Sequence, residues 1–92
     1  MPPAFRVRLA RAAERGLRRI REGDPRGYAR VVAAIRGLAL DPRPPGSMKL
    51  AGFRSPPAWR VRVGEYRIVY EVRDAELVIV VVNVAPRGEA YR

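Results

Sequence analysis

The chain has 92 residues, enough for one domain (1–92) with a single hydrophobic core. It contains neither cysteine nor histidine, which excludes disulfides, thiol nucleophiles and most zinc or iron sites. We therefore predict no metal site and no cofactor. The net charge is +10, and Lys49 is the single lysine, so arginine carries nearly all of the positive charge. Because arginine binds phosphate groups bidentately, this balance favours a polyanionic partner.

Targeting and membrane signals are weak in this sequence. The N-terminal residues lack the apolar segment of a signal peptide. The longest apolar run, Leu77 to Val82, is too short to span a bilayer. We expect a cytoplasmic protein that does not enter the membrane.

The first half of the chain predicts a strand followed by a two-helix hairpin. Phe5 to Leu9 alternates apolar and charged residues, as a strand does. From Ala10 the apolar residues recur at helical spacing, with Ala10, Ala13, Leu17 and Ile20 on one face. Gly23 ends this helix, and Asp24-Pro25 starts the next as N-cap and first residue. The buried side of the second helix carries Tyr28, Val31, Val32, Ile35 and Leu38, and Asp41-Pro42 stops it.

Residues 59–72 predict a β-hairpin that turns at Gly64-Glu65, since apolar and charged residues alternate on both sides of a glycine suited to a II′ turn. The implied register places Arg62 opposite Arg67. One face is then the core face, with Trp59, Val61, Val63, Tyr66, Ile68 and Tyr70. The other face gathers Arg60, Arg62 and Arg67. Because like charges opposite one another destabilise a sheet, these arginines are either well solvated or serve to bind an anion.

The last strand is predicted to run from Leu77 to Val84 after a two-residue turn at Asp74-Ala75. This turn would pair Arg73 with Glu76 and put Leu77, Ile79 and Val81 on the core face. The strand is apolar on both sides and should be central or covered on both faces. The predicted fold is α+β: an N-terminal strand, a two-helix hairpin, then an antiparallel three-stranded meander, with the helices on one sheet face.

The opposite sheet face poses a question of its own. It would present Val69, Val78, Val80 and Val82 next to the arginines, and a monomer rarely leaves such an apolar patch open. The C-terminal tail, a second copy of the chain or a separate protein could cover it. The sequence leaves these three alternatives open.

Several segments resemble the signature of the RelE/ParE superfamily of bacterial toxins, closest to its RelE branch. They are Lys49-Leu50-Ala51-Gly52, residues 59–72, Val84-Ala85-Pro86-Arg87 and Tyr91. Residues 59–72 are a specific match to the superfamily signature, whereas the N-terminal half of the chain only has a pattern compatible with it. The resemblance implies a RelE-like fold and the toxin of a type II toxin–antitoxin system. RelE-like members enter the ribosomal A site and cut mRNA there, and a cognate antitoxin neutralises them, in some cases as a heterotetramer.

The resemblance also implies site residues. The implied catalytic residues are Arg60, Arg62, Arg67, Arg87 and Tyr91, and the implied RNA-binding residues are Lys49, Arg54, Arg60 and Arg62. RNA cleavage without a metal uses the 2′-OH as nucleophile, and fixed cations stabilise the phosphorane charge. The best-studied members have lysine at positions 60 and 62, and many have histidine at Pro86. Arginine effectively cannot lose its proton, so the base would be Tyr91 or a ribosomal RNA group.

Two other functions stay open. A ParE-like toxin would bind DNA gyrase and have no catalytic activity, and an inactive relative would be a basic RNA- or partner-binding module. The discriminating feature is a set of basic residues together with Tyr91: Arg60, Arg62, Arg67 and Arg87. A site that cleaves RNA at a phosphate needs this set, whereas a gyrase-binding surface does not. The arginines of the first helix, Arg11, Arg15, Arg18 and Arg19, fit a solvated helix face better than a site.

Overall fold

The computed structural model describes residues 4–51 and 57–86. Its elements are β1 (Arg6–Leu9), α1 (Arg11–Gly23), α2 (Pro25–Leu38), β2 (Met48–Lys49), β3 (Ala58–Val63), β4 (Tyr66–Arg73) and β5 (Val78–Pro86). One mixed sheet of five strands forms in the order β1-β5-β4-β3-β2, and the two helices pack on it. The predicted α+β class is confirmed.

The helices form where the apolar spacing places them. In α1 the buried residues are Ala13, Leu17 and Ile20, and in α2 the buried apolar side chains are those of Val31, Ile35 and Leu38. Tyr28 packs against this core while staying half-buried. The core face of the sheet meets them with Val61, Ile68, Tyr70, Val72, Ile79, Val81 and Val84. The predicted helix faces are therefore confirmed in their main residues.

The β3–β4 hairpin has the predicted register. Val63 pairs with Tyr66, Arg62 with Arg67, and Trp59 with Tyr70. Gly64 takes a φ of 57°, as the first position of a II′ turn requires. The alternation along both strands therefore divides the hairpin into a core face and a charged face.

Strand β5 is central, as its apolar composition predicts. It pairs in parallel with β1 through Val78 to Val81 and antiparallel with β4 on its other side. The β4 pairing skips one residue, since Tyr70 faces Val81 but Val69 faces Asn83. This bulge changes the alternation at Val82, and as a result Val84 joins Val81 in the core.

The predicted two-residue turn between β4 and β5 is wrong. A short 3₁₀ turn, Asp74–Glu76, is followed by Leu77 in the left-handed region with φ 55°, and Arg73 pairs with Val78. Leu77 therefore lies in the turn, partly exposed, and does not belong to the core face. The longer turn shifts the β4–β5 register by two residues from the predicted one, and an even shift keeps Ile79 and Val81 on the core face.

The strained backbone at Leu77 gives a testable difference between two truncations. Leu77→Gly is expected to be more stable than Leu77→Ala by about 1 kcal/mol, because an alanine Cβ disfavours the left-handed conformation and glycine does not. Both variants lose the leucine side chain, so the comparison isolates the backbone. Chemical denaturation measures it, and an alanine variant as stable as the glycine variant would contradict the turn geometry.

Asp24 lies between the two helices and forms hydrogen bonds to both α2 and the sheet. Its Oδ1 accepts a hydrogen bond from Gly27 N at 3.0 Å, and its Oδ2 accepts one from the Tyr66 hydroxyl at 2.8 Å. The Gly27 amide, then the Tyr66 hydroxyl, hold the pKa of Asp24 below its ordinary value. The same bond raises the pKa of Tyr66.

These bonds predict a pH dependence of stability. Because the pKa of Asp24 is lower in the folded state, its contribution is present above its ordinary value of 3.8 and is lost as the pH falls through the folded value. Asp24→Ala is expected to lower the melting temperature at neutral pH and to flatten this acid-side loss. Tyr66→Phe removes one of the two bonds and should have a smaller effect. Melting curves from pH 2 to 7 test this, and equal acid-side slopes in all three proteins would contradict it.

The segment between α2 and β2 is tied to the rim of the sheet. The Arg43 guanidinium donates to both Asp74 carboxylate oxygens, at 2.7 and 3.3 Å, and lies 5.3 Å from the centre of the Trp59 ring. The Tyr70 hydroxyl donates to the Pro42 carbonyl oxygen at 2.7 Å, and burial raises the pKa of Tyr70 to about 12. These contacts fix the approach to β2 and to Lys49.

Candidate nucleic-acid interface

The sheet face turned away from the helices carries most of the sheet's charged residues, and we call it the arginine face. Strand register places fourteen described residues on it: Arg6, Arg8, Met48, Ala58, Arg60, Arg62, Arg67, Val69, Glu71, Arg73, Val78, Val80, Asn83 and Ala85. Seven of these fourteen carry a charge, and six of the seven are arginines. The two helices pack against the other face of the sheet.

The three arginines predicted to cluster lie on the two neighbouring strands β3 and β4. Arg62 faces Arg67 directly, and Arg60 faces Val69 two pairs further along. Arg62 is exposed, whereas Arg67 is only 8% exposed. The Nη2 atom of Arg60 lies 3.1 Å from the Met48 sulfur. Two guanidinium groups placed opposite each other form an arrangement that a bound phosphate stabilises.

A strip of valines separates this cluster from further arginines. Val69 is buried, and Val78 and Val80 are half-buried. Arg6 pairs with Val78 and Arg8 with Val80, so β1 adds two exposed arginines on the far side of the strip. Their alternation with Phe5, Val7 and Leu9 is visible in the sequence. Their place on this face depends on the parallel pairing with β5, which the sequence pattern does not reveal.

Two acidic side chains contact Arg73, at the end of the arginine face where β4 finishes. The Arg73 Nη2 atom donates to Glu71 Oε1 at 3.1 Å, and Arg73 Nη1 lies 3.8 Å from Glu76 Oε2. Glu71 belongs to β4, two residues beyond Val69, and Glu76 belongs to the following turn. The sequence pattern alone did not single out Glu71.

The other residues named from the resemblance are placed differently. Lys49 pairs with Trp59, so the alternation of β2 puts it on the helix side of the sheet, at the rim. Arg54, Arg87 and Tyr91 lie outside the described residues. Strand β5 ends at Pro86, which pairs with Tyr66 and directly follows Ala85, the partner of Arg67.

A cleft lies away from the arginine face, between α1 and the end of β5. It has a volume of about 490 Å³, and its polar lining includes Arg15, Arg19, Asp24 and Tyr66. Asp24 and Tyr66 are hydrogen-bonded to each other there and support the helix hairpin. The arginine face is better suited to an extended polyanion than this cleft, because its cations lie along neighbouring strands.

The described ranges contain neither a metal-binding cluster nor a membrane-spanning helix. Within 4–51 and 57–86, no group of three or more acidic, histidine or cysteine side chains is arranged to hold a metal ion. Neither helix is long and apolar enough to cross a membrane.

Comparison with solved structures identifies the fold. The chain is 27% identical to a protein in the archaeal RelE–RelB complex from Pyrococcus horikoshii, with a TM-score of 0.77, covering 95% of this chain and 99% of that one. A protein of the toxin–antitoxin complex RelBE2 from Mycobacterium tuberculosis is 28% identical, with a TM-score of 0.72 and coverage of 91% and 99%. The isolated RelE toxin from E. coli is 25% identical, with a TM-score of 0.67 and coverage of 96% and 92%. The fold is thus that of a toxin of a toxin–antitoxin system.

The family follows from the sequence itself. Residues 7–91 match the family described as the ParE toxin of the type II toxin–antitoxin system parDE, and the chain belongs to that family. No curated protein matches the chain. The expected membership of the RelE/ParE superfamily is therefore confirmed.

Proposed function

We propose that this toxin cuts mRNA in the ribosomal A site by attack of a ribose 2′-OH on the adjacent phosphate. The observation that supports the proposal is the placement of Arg60, Arg62 and Arg67 on one face of two neighbouring strands. A basic surface of this kind fits a nucleic acid strand, and the phosphodiester would lie among the three guanidinium groups.

Electrostatic stabilisation is the main chemical contribution of these arginines. Attack by the 2′ oxygen puts additional negative charge on the phosphate oxygens, and prepositioned cations stabilise that charge. Arg87 and Tyr91 complete the proposed catalytic set, which rests on the superfamily resemblance for those two residues. Lys49 and Arg54 are proposed to bind the RNA backbone outside the reacting phosphate. Neither a metal nor a cofactor enters this mechanism.

A cognate antitoxin is the proposed protein partner, in the cytoplasm. Two of the similar structures are complexes described as RelE–RelB and RelBE2. On the arginine face, the valine strip formed by Val69, Val78 and Val80 is flanked by arginines on both sides. An antitoxin segment with an apolar stripe and acidic edges would fit this pattern, in a pair or a heterotetramer, and would block access of RNA.

A second candidate is inhibition of DNA gyrase without catalysis. The observation that favours it is the family itself, because residues 7–91 match ParE toxins. In that case the arginine face would bind the gyrase surface, and the arrangement of Arg60, Arg62 and Arg67 around one phosphate would have no chemical role.

Induced expression separates the two candidates. The mRNA proposal predicts growth arrest with new RNA 5′ ends within translated reading frames, detected by transcriptome-wide end mapping, while chromosomal DNA stays intact. The control is expression of an Arg60→Ala/Arg62→Ala variant in place of the wild type. This variant should leave mRNA uncut. Intact mRNA together with accumulating DNA breaks would refute the proposal and support the gyrase function.

A further inference from the structure

The arginines of the described part of the arginine face cannot accept the proton of the attacking 2′-OH. Arginine keeps its proton under all ordinary conditions, so Arg60, Arg62 and Arg67 can stabilise charge but cannot act as the base. We propose that Glu71 is the general base of this site. The inference rests on the RNA cleavage proposed above and assigns to β4 a catalytic group that the sequence pattern did not indicate.

Glu71 is placed next to the arginine cluster. It faces Ala58 on β3 and Val80 on β5, two pairs along from the pairing of Val69 with Arg60 and on the same sheet face. Alternate residues of one strand lie about 7 Å apart, and diagonal neighbours on adjacent strands are about 7–8 Å apart. A phosphate held above Val69 by the arginines would therefore bring the ribose on its 3′-oxygen side within reach of the Glu71 side chain.

The carboxylate is held in place and keeps one oxygen available. Arg73 Nη2 donates to Oε1 at 3.1 Å, while Oε2 makes no hydrogen bond or ion pair with the described residues. The Glu71 side chain is 24% exposed, so it is ordered but accessible. Among the residues that we place on the arginine face, Glu71 is the one carboxylate.

The proposed step is complete in atoms and charge. Glu71 Oε2 takes the proton of the 2′-OH as O2′ forms a bond to phosphorus, and the P–O5′ bond breaks. The departing O5′ takes a proton from water, and the proton on Glu71 neutralises the resulting hydroxide. The products are a 2′,3′-cyclic phosphate and a 5′-hydroxyl end, and Glu71 returns to its carboxylate form.

Glu76 supplies a matched control for this role. It also contacts Arg73, at 3.8 Å, but lies in the turn after β4 and away from the arginine cluster. Glu76→Gln therefore removes an acidic partner of Arg73 without removing the proposed base. Any loss caused only by weakening the Arg73 ion pairs would appear in both variants.

Single-turnover cleavage of mRNA on programmed ribosomes, with purified full-length toxin, tests the inference. Glu71→Gln is expected to lower the maximal rate about 100-fold, in the range that general bases contribute, with an unchanged half-saturating concentration. Glu71→Asp should recover part of the rate, because it restores a carboxylate at a shorter reach. Glu76→Gln should cleave at the wild-type rate, and melting temperatures should show that all three variants fold.

Each contrary result has a separate meaning. A folded Glu71→Gln variant that cleaves at the wild-type rate would overturn the assignment of the base and leave the proposed function intact. Equal losses in Glu71→Gln and Glu76→Gln would assign Glu71 a structural role only and overturn the inference. A wild-type toxin that does not cleave RNA would overturn both this inference and the proposed function.

Discussion

Gly16→Ala is expected to destabilise the protein by about 1–3 kcal/mol, the usual cost of overpacking a close contact. Helix α1 crosses β5 at Gly16, where an added Cβ would overlap the backbone carbonyl oxygen of Val84. The obstacle is backbone, so it cannot rotate away as a side chain would. Helix and strand would have to separate, which would loosen the packing of Ala13, Leu17 and Ile20 on the sheet.

Gly37→Ala is the matched control for this prediction. Gly37 also lies within a helix, but a Cβ added there meets no atom within 4 Å. Replacing an exposed helical glycine with alanine usually stabilises a protein by about 0.5–1 kcal/mol. Thermal or chemical denaturation of the two variants should therefore shift in opposite directions. A Gly16→Ala variant as stable as wild type would mean that α1 does not approach β5 this closely.

Arg62→Ala is expected to slow RNA cleavage about 100-fold, the size of effect seen when one prepositioned charge-stabilising donor is removed. Arg62 is the best position for this experiment because its side chain is exposed, so the fold should tolerate the truncation. Arg67 faces it but is only 8% exposed, and truncating a buried residue there would also change stability. Single-turnover cleavage and a melting curve on the same protein separate the two effects.

Arg18→Ala controls for the loss of positive charge. Arg18 is an exposed arginine of α1, away from the arginine face, and its removal changes the net charge by the same amount. It should cleave RNA at close to the wild-type rate. Equal losses in the two variants would indicate that overall charge drives RNA binding and that Arg62 has no specific place at the phosphate.

The hairpin shows what a sequence pattern can predict. Alternation on both sides of Gly64 defines which residues face the core, and a two-residue turn leaves one register that keeps Trp59, Val61 and Ile68 together. The structure follows that register pair by pair. The juxtaposition of Arg62 and Arg67 was therefore predictable, because it depends only on local chain geometry.

Features that depend on distant pairing could not be predicted in this way. The parallel pairing of β1 with β5 brings Arg6 and Arg8 to the arginine face, but nothing within β1 specifies its neighbour. The longer turn at Leu77 and the bulge at Val82 each change which residues face the core. Two such changes in one strand explain why Leu77 was placed wrongly and why the packing of Val84 was not foreseen.

The position of Lys49 shows how a short strand limits prediction. Strand β2 has only two residues, Met48 and Lys49, so its alternation could not be read from the sequence. Pairing with Arg60 and Trp59 puts the sulfur of Met48, and not the Lys49 ammonium, beside the arginine cluster. A role of Lys49 in binding RNA therefore requires the RNA strand to pass around the rim of the sheet at β2.

Cleavage of a defined mRNA on programmed ribosomes, with a single 2′-deoxy substitution at the nucleotide preceding the cut, tests the central claim most directly. Our account predicts that the wild-type toxin cuts the all-ribose message to give a 2′,3′-cyclic phosphate, and that the substituted message stays intact at that position while still binding. Cleavage of the substituted message at an unchanged rate, or an all-ribose message left whole by a folded toxin, would contradict it.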